Sequence, residues 1–165
     1  MLTEPQVTPR GEQPYVAIRT TATMDNLGEV APPLHPEVFG WLGAHGIEPA
    51  GEPFWKYNVI DMARSLEIEV GVPISAAVDG DDRVLAGVLP AGRYATVEHT
   101  GHPADLINAT ATLLDWAANQ GLKWDRTETA EGEKWRSRLE IYHTDPREEP
   151  DMNKWQTQLA FRLAD

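Results

Sequence analysis

The stretch Val38-Phe39-Gly40-Trp41-Leu42-Gly43-Ala44-His45-Gly46-Ile47 has a counterpart 75 positions later, Leu113-Leu114-Asp115-Trp116-Ala117-Ala118-Asn119-Gln120-Gly121-Leu122. In each, a tryptophan is followed five positions on by a glycine, and the glycine directly by a branched aliphatic residue. Upstream, Leu34, Val38, Trp41 and Leu42 fall at helical spacing. So do Leu106, Ile107, Thr110, Leu113, Leu114 and Ala117, and Gly46 and Gly121 supply the C-terminal stops. Pro36 is confined to a first helical turn, so the first helix is expected to start near it. The second is expected over about Pro103 to Gln120.

Strand patterns flank both helices. Tyr15 to Arg19, continuing to Thr23, precedes the first, and Phe54 to Ile60 and Leu66 to Ile74 follow it. Tyr94 to His99 precedes the second, and Arg136 to His143 and Trp155 to Leu163 follow it. Val84 to Leu89 is left as the connector between the copies, after the turn signal Asp79-Gly80-Asp81-Asp82. The order strand, helix, strand, strand therefore occurs twice. It predicts an α+β fold: a tandem duplication of a β-α-β-β unit, with an antiparallel sheet and two helices on one face. Residues 1–14, polar and proline-rich, are expected to be a flexible segment. Residues 15–165 form one domain, with repeat one over about 15–79 and repeat two over about 84–165.

The formal charge of −12, from 26 acidic and 14 basic side chains, repels nucleic acid, and the basic residues are scattered. Direct nucleic-acid binding is therefore not expected, whereas a cationic ligand or a basic partner protein is favoured. The same charge also serves simply to keep a protein soluble. With no cysteine there is neither a disulfide framework nor a thiolate metal site. The chain carries no signal-peptide pattern and no apolar run of about 20 residues, so a cytoplasmic protein without a membrane span is expected. The pair His99 and His102 lacks a third ligand and is followed by Pro103, so no metal is assigned. No phosphate loop, dinucleotide fingerprint or nucleophile elbow is present, and no cofactor is expected.

Two segments resemble a known family. One is Gly92-Arg93-Tyr94-Ala95-Thr96-Val97-Glu98-His99-Thr100-Gly101 and the helix ending at Gly121-Leu122. The other is Leu139-Glu140-Ile141-Tyr142-His143-Thr144-Asp145-Pro146, followed by Trp155-Gln156-Thr157-Gln158-Leu159. Together they are similar to the GyrI-like domains, which include the effector-binding domains of multidrug regulators, a gyrase-inhibitory protein and hydrolases of cyclopropane-bearing natural products. The resemblance implies a pseudo-twofold sheet with a ligand cleft between the repeats and an acidic residue among aromatics deep in it. Where many relatives carry Thr-Glu in the last strand, this chain has Thr157-Gln158, which removes a second carboxylate.

Strand alternation sorts the candidates. Leu139 and Ile141 are expected to face the helices, with Glu140 and Tyr142 on the opposite face. Aligning Tyr57 with Tyr142 sets Trp55 in the position equivalent to Glu140. Trp55, Tyr57, Glu140 and Tyr142 are thus the expected lining of one groove, with Tyr94 near the repeat junction and Trp135 and Trp155 flanking the opening. On residue type alone, Glu140 reads first as a solvated carboxylate or an ion-pair partner of Arg138 or Arg162, and the resemblance reverses that order; Trp55 and Tyr57 are equally read as cross-strand packing. Glu69, on the same expected face as Gly71, is a further candidate. An aromatic groove with one carboxylate suits bulky aromatic or cationic molecules, as in drug sensing or sequestration. The same residues suit a hydrolase in which Glu140 activates water and Tyr142 orients the ligand. A third reading is an acidic protein partner of DNA gyrase. Oligomeric state is not encoded in these patterns.

Overall fold

The computed structural model describes all residues, 1–165. In chain order it comprises β1 (Gln6–Arg10), β2 (Gln13–Ala22), α1 (Leu27–Val30), α2 (Leu34–Ala44), β3 (Phe54–Asp61), β4 (Ser65–Pro73) and β5 (Leu85–Leu89). These are followed by β6 (Gly92–Thr100), α3 (Leu106–Asn119), β7 (Arg126–Thr129), β8 (Gly132–Trp135), β9 (Arg138–Tyr142) and β10 (Gln156–Arg162). The sheet is antiparallel in the order β1-β6-β10-β9-β3-β4-β2-β5, with the β7–β8 hairpin attached through β8 to β3. The duplication is plain: β2-α2-β3-β4 and β6-α3-β9-β10 are the two units. They join where β3 pairs with β9, Phe54 opposite Ile141, Trp55 opposite Glu140 and Lys56 opposite Leu139.

Both helices lie on one face. Val38 and Leu42 of α2 and Leu113 of α3 pack with Val16, Ile18, Ile68, Val70, Val97, Leu159 and Phe161 in the main core. Pro36 sits in the first turn of α2, which begins two residues earlier, at Leu34. Trp41 and Trp116 border this core, half-buried, as matched positions of the two helices. A second, smaller core covers the other face of the sheet: Tyr15, Ala17, Phe54, Tyr94, Leu139, Ile141 and Ala160. With no helix over them, these residues cover one another, which is why the strands near the junction carry apolar side chains on both faces.

The structure departs from the sequence expectations in two places. Residues 1–14 are not a free segment: β1 pairs with β6, Thr8 opposite Tyr94, and the Met1 amino group donates to the Thr100 carbonyl at 2.6 Å. Alternation within a proline-rich stretch is a weak signal, and this partner lies some 90 residues away in the chain. The strand expected over Val84 to Leu89 forms over Leu85–Leu89, as an edge strand on β2. The polar loop before Trp135 holds the β7–β8 hairpin, with Gly132 at φ +128 in its turn.

Gly71 shows how tightly the second core is built. A Cβ there would lie 2.7 Å from Phe54 Cζ and 3.2 Å from the Val16 carbonyl oxygen. Gly71→Ala is accordingly expected to destabilise the fold by about 1–3 kcal/mol through overpacking, measured as a lowered urea midpoint at constant slope.

Candidate functional site

Leu139 and Ile141 belong to the second core, away from the helices, so Glu140 and Tyr142 face the helix side, the reverse of the expectation. Alternation fixed which residues share a face. It left open which face the helices cover, because both faces of β9 bear apolar neighbours. Trp55 and Tyr57 of β3 share the helix face with Glu140.

The equivalences Trp55 with Glu140 and Tyr57 with Tyr142 place the pseudo-twofold axis between Trp55 and Glu140, which are themselves paired across the β3–β9 junction. The two tyrosines, related by that axis, both reach the Glu140 carboxylate. Tyr142 donates to Glu140 Oε1 at 2.9 Å, and the Tyr57 hydroxyl lies beside the same carboxyl. Burial pushes the Glu140 carboxyl above the usual range, while the two tyrosine hydroxyls and the charge of Arg138 pull it back. Burial beside the carboxylate also raises both tyrosine hydroxyls, so they remain donors.

Trp55 closes edge-on against Tyr142, ring centroids 5.4 Å apart. His35 of α2, absent from the sequence candidates, packs edge-on against Tyr142 at 5.9 Å and lies 6.5 Å from Trp55. Burial holds its imidazole below the usual value, hence neutral at pH 7. A histidine next to a proline at a helix start gives no sequence signal of a site; only the packing of α2 over the junction brings it there. Trp55 Nε1 and Arg138 Nε are buried without a hydrogen-bond partner. Buried donors are nearly always satisfied, so two unpaired N–H groups on one aromatic cluster are exceptional.

At the inner end, the Arg138 guanidinium lies 4.5 Å from the Phe161 ring centre, 4.8 Å from Trp135 and 5.7 Å from Tyr57. The protein thus already stacks one cation of its own on this aromatic wall. Arg138 forms no ion pair with Glu140. Arg162 pairs instead with Asp125 and Asp165.

The remaining candidates are not brought to Glu140. Tyr94 is 1% exposed in the second core, on the other face, with its hydroxyl donating to the Pro90 carbonyl at 2.7 Å. Trp135 is buried behind Arg138 rather than flanking an opening. Trp155 anchors its own loop, donating from Nε1 to the Glu149 carbonyl at 2.7 Å. Gln158 lies on the opposite face from Glu140, contacting Arg10 at 3.4 Å, so a carboxylate there would not have entered this cleft. No group of three or more metal-binding side chains is present, and no helix is long and apolar enough to cross a membrane.

The GyrI-like small molecule binding domain family matches residues 3–164. The chain belongs to that family. This GyrI-like domain resembles the C-terminal domain of EcmrR, with a TM-score of 0.75, 18% identity and 98% of each chain covered. It spans 98% of its own length but 57% of the longer EcmrR chain seen in a DNA complex, with a TM-score of 0.76. A hydrolase from Listeria innocua has the same fold at a TM-score of 0.64 and 14% identity, covering 98% of this chain and 92% of that one. SAV2435 bound to tetraphenylphosphonium gives 0.61 at 11% identity, covering 98% and 94%. Among curated proteins none matches the sequence significantly.

Because Glu140 is raised above its ordinary value, the folded chain holds this proton at pH values where the unfolded chain has released it. Its destabilising contribution is complete above the folded value and disappears below the unfolded one. Glu140→Gln is therefore expected to raise the melting temperature at neutral pH and to have less effect in acid, checked by calorimetry across pH. Tyr142→Phe and Arg138→Gln each remove a group that favours the carboxylate. Both should move the Glu140 titration to higher pH, read from its side-chain carbonyl by NMR.

Proposed function

We propose that this GyrI-like domain holds bulky, singly charged organic cations or planar aromatic molecules over Glu140, between Trp55, Tyr57, Tyr142 and His35, as a sensor or sequestering protein. The observation that carries this reading is the Glu140 carboxylate beside the pseudo-twofold axis, partly buried and free of any ion pair, with Trp55, Tyr57 and Tyr142 around it. Each ring offers a cation about 0.5–2 kcal/mol, and the carboxylate gains strength as the ligand displaces water. Apart from the unpaired Trp55 Nε1 and Arg138 Nε the wall demands no fixed hydrogen-bond pattern, so it suits ligands chosen by shape and charge. Arg138 sets the limit on charge. With this cation stacked at the inner end, a second positive charge on the ligand would meet repulsion rather than a second anion. The tetraphenylphosphonium complex of SAV2435 supports the reading, since that ligand is a single charge within an aromatic shell.

Trp55, Tyr142 and His35 are in mutual contact, so a ligand must part them to enter. Tryptophan fluorescence is then a direct reporter. Glu140→Gln is expected to weaken tetraphenylphosphonium by about tenfold to a hundredfold, the value of one charge-assisted contact, and to leave a neutral aromatic of similar size unchanged. Equal losses for both would overturn the acidic floor. In the wild type, affinity for the cation should fall as pH is lowered through the raised titration of Glu140.

A hydrolytic reading draws on a different feature of the same residues: a carboxyl raised by burial and held by two tyrosine hydroxyls suits general acid–base work. It requires a product one water heavier than a cyclopropane-bearing substrate, formed by the wild type and absent with Glu140→Gln. Quenching with unchanged compound mass favours the binding reading.

A further inference from the structure

Away from the aromatic cluster, a groove of about 440 Å³ lies on the opposite face of the sheet, beside β3, lined by Arg19, Lys56, Asn58, Glu67, Glu69 and Lys134. We propose that this groove is a second binding site, for a small organic oxyanion, a phosphate ester or a carboxylate, gripped by Arg19, Lys56 and Lys134.

The register of β3 against β4 shifts between Tyr57 and Val59, a β-bulge. Tyr57 and Ile60 point to the helix side, and the bulge turns both Asn58 and Val59 into the groove. The Glu69 carboxylate, 2% exposed, is the fixed base of the site. Tyr15 donates its hydroxyl to Glu69 Oε1 at 2.5 Å and Asn58 donates Nδ2 to Oε2 at 2.5 Å. With both oxygens occupied, Glu69 is left as a counter-charge: Lys56 Nζ stands 3.6 Å and Arg19 3.7 Å from Oε2.

These distances are ion-pair contacts and too long for hydrogen bonds. The Arg19 guanidinium makes no hydrogen bond anywhere, and Lys134 makes neither a hydrogen bond nor an ion pair. Lys56 donates only to Asn58 Oδ1, at 2.5 Å. A purely structural ion cluster would use these donors internally. Here the fork of Arg19 and most of the Lys56 ammonium remain free beside one hollow. Lys56 is only 11% exposed, so its ammonium has lost most of its water without gaining a full set of acceptors. Burial depresses its titration accordingly, and Glu69 offsets this only in part. Three cations face two carboxylates, Glu67 and Glu69, which leaves the groove one positive charge on a chain whose net charge is −12. An oxyanion would complete the coordination, and Glu67 at the rim could accept from hydroxyl groups on its organic body.

The test titrates the full chain with inorganic phosphate, glucose 6-phosphate and gluconate, following backbone amides and the Lys56 Nζ titration by NMR. Saturable shifts at Arg19, Lys56 and Asn58, with the Lys56 titration moving to higher pH on binding, are expected with at least one probe. A preference between glucose 6-phosphate and gluconate identifies the phosphate or the carboxylate as the natural group. The double variant Arg19→Gln, Lys134→Gln should lose about tenfold or more in affinity. Because both side chains reach solvent, it should melt near the wild-type temperature and still bind tetraphenylphosphonium in the aromatic cleft. Absence of saturable shifts with all three probes, shifts centred elsewhere, or unchanged affinity in the double variant would overturn the proposal.

Discussion

The pairing of β3 with β9 is the constraint on which the rest depends. Each repeat alone offers a small sheet with one packed helix and a raw strand edge, and β3 of the first repeat joins them into one sheet by pairing with β9 and β8 of the second. Three residue pairs join β3 to β9, with Trp55 opposite Glu140 at their centre, and two more join β3 to β8. Edge strands left unpaired invite association with other chains, and the junction removes one such edge from each repeat. It also has a cost. Setting Glu140 at the seam between two packed units forces a carboxylate into a partly dry place, where the tyrosines and Arg138 offset its burial only in part. A carboxylate whose charged form is disfavoured by burial therefore sits at the point where the two repeats join.

The duplication was legible because it is written twice, in matched Trp, Gly and aliphatic positions whose spacing survives the divergence of everything between them. Period-two alternation correctly grouped Trp55 with Tyr57 and Glu140 with Tyr142. It could not say which face the helices cover. Leu139 and Ile141 looked like a core stripe, and they are one, but of the second core made with Phe54 and Tyr15. Sequence periodicity reports burial, and a sheet with two cores buries residues on both sides. For the same reason Tyr94, an aromatic next to the repeat boundary, read as a cleft residue although it packs behind the sheet.

His35, the β1 strand and the role of Glu69 were beyond reach for a common reason: each is defined by partners distant in the chain. His35 meets Tyr142 across 107 positions, and β1 lies on a strand from the other repeat. Glu69 stood out only as a candidate on the strand face it shares with Gly71. Nothing local to it indicates that Tyr15 and Asn58 would saturate it, nor that a bulge after Tyr57 would turn Asn58 towards it.

The position of the pseudo-twofold axis has one more consequence. A dimer with a true twofold axis would place identical residues on both sides of its cleft, and a ligand could lie in it either way round. Here the backbone keeps the symmetry while the lining breaks it: Trp55 stands on one side of the axis and Glu140 on the other, with matching tyrosines beside them. Fusing two copies into one chain freed each wall to change without its mirror image. The junction consequently has a direction, a charged side on β9 and an indole side on β3, and under the proposed function a lopsided ligand would have one favoured way to lie there.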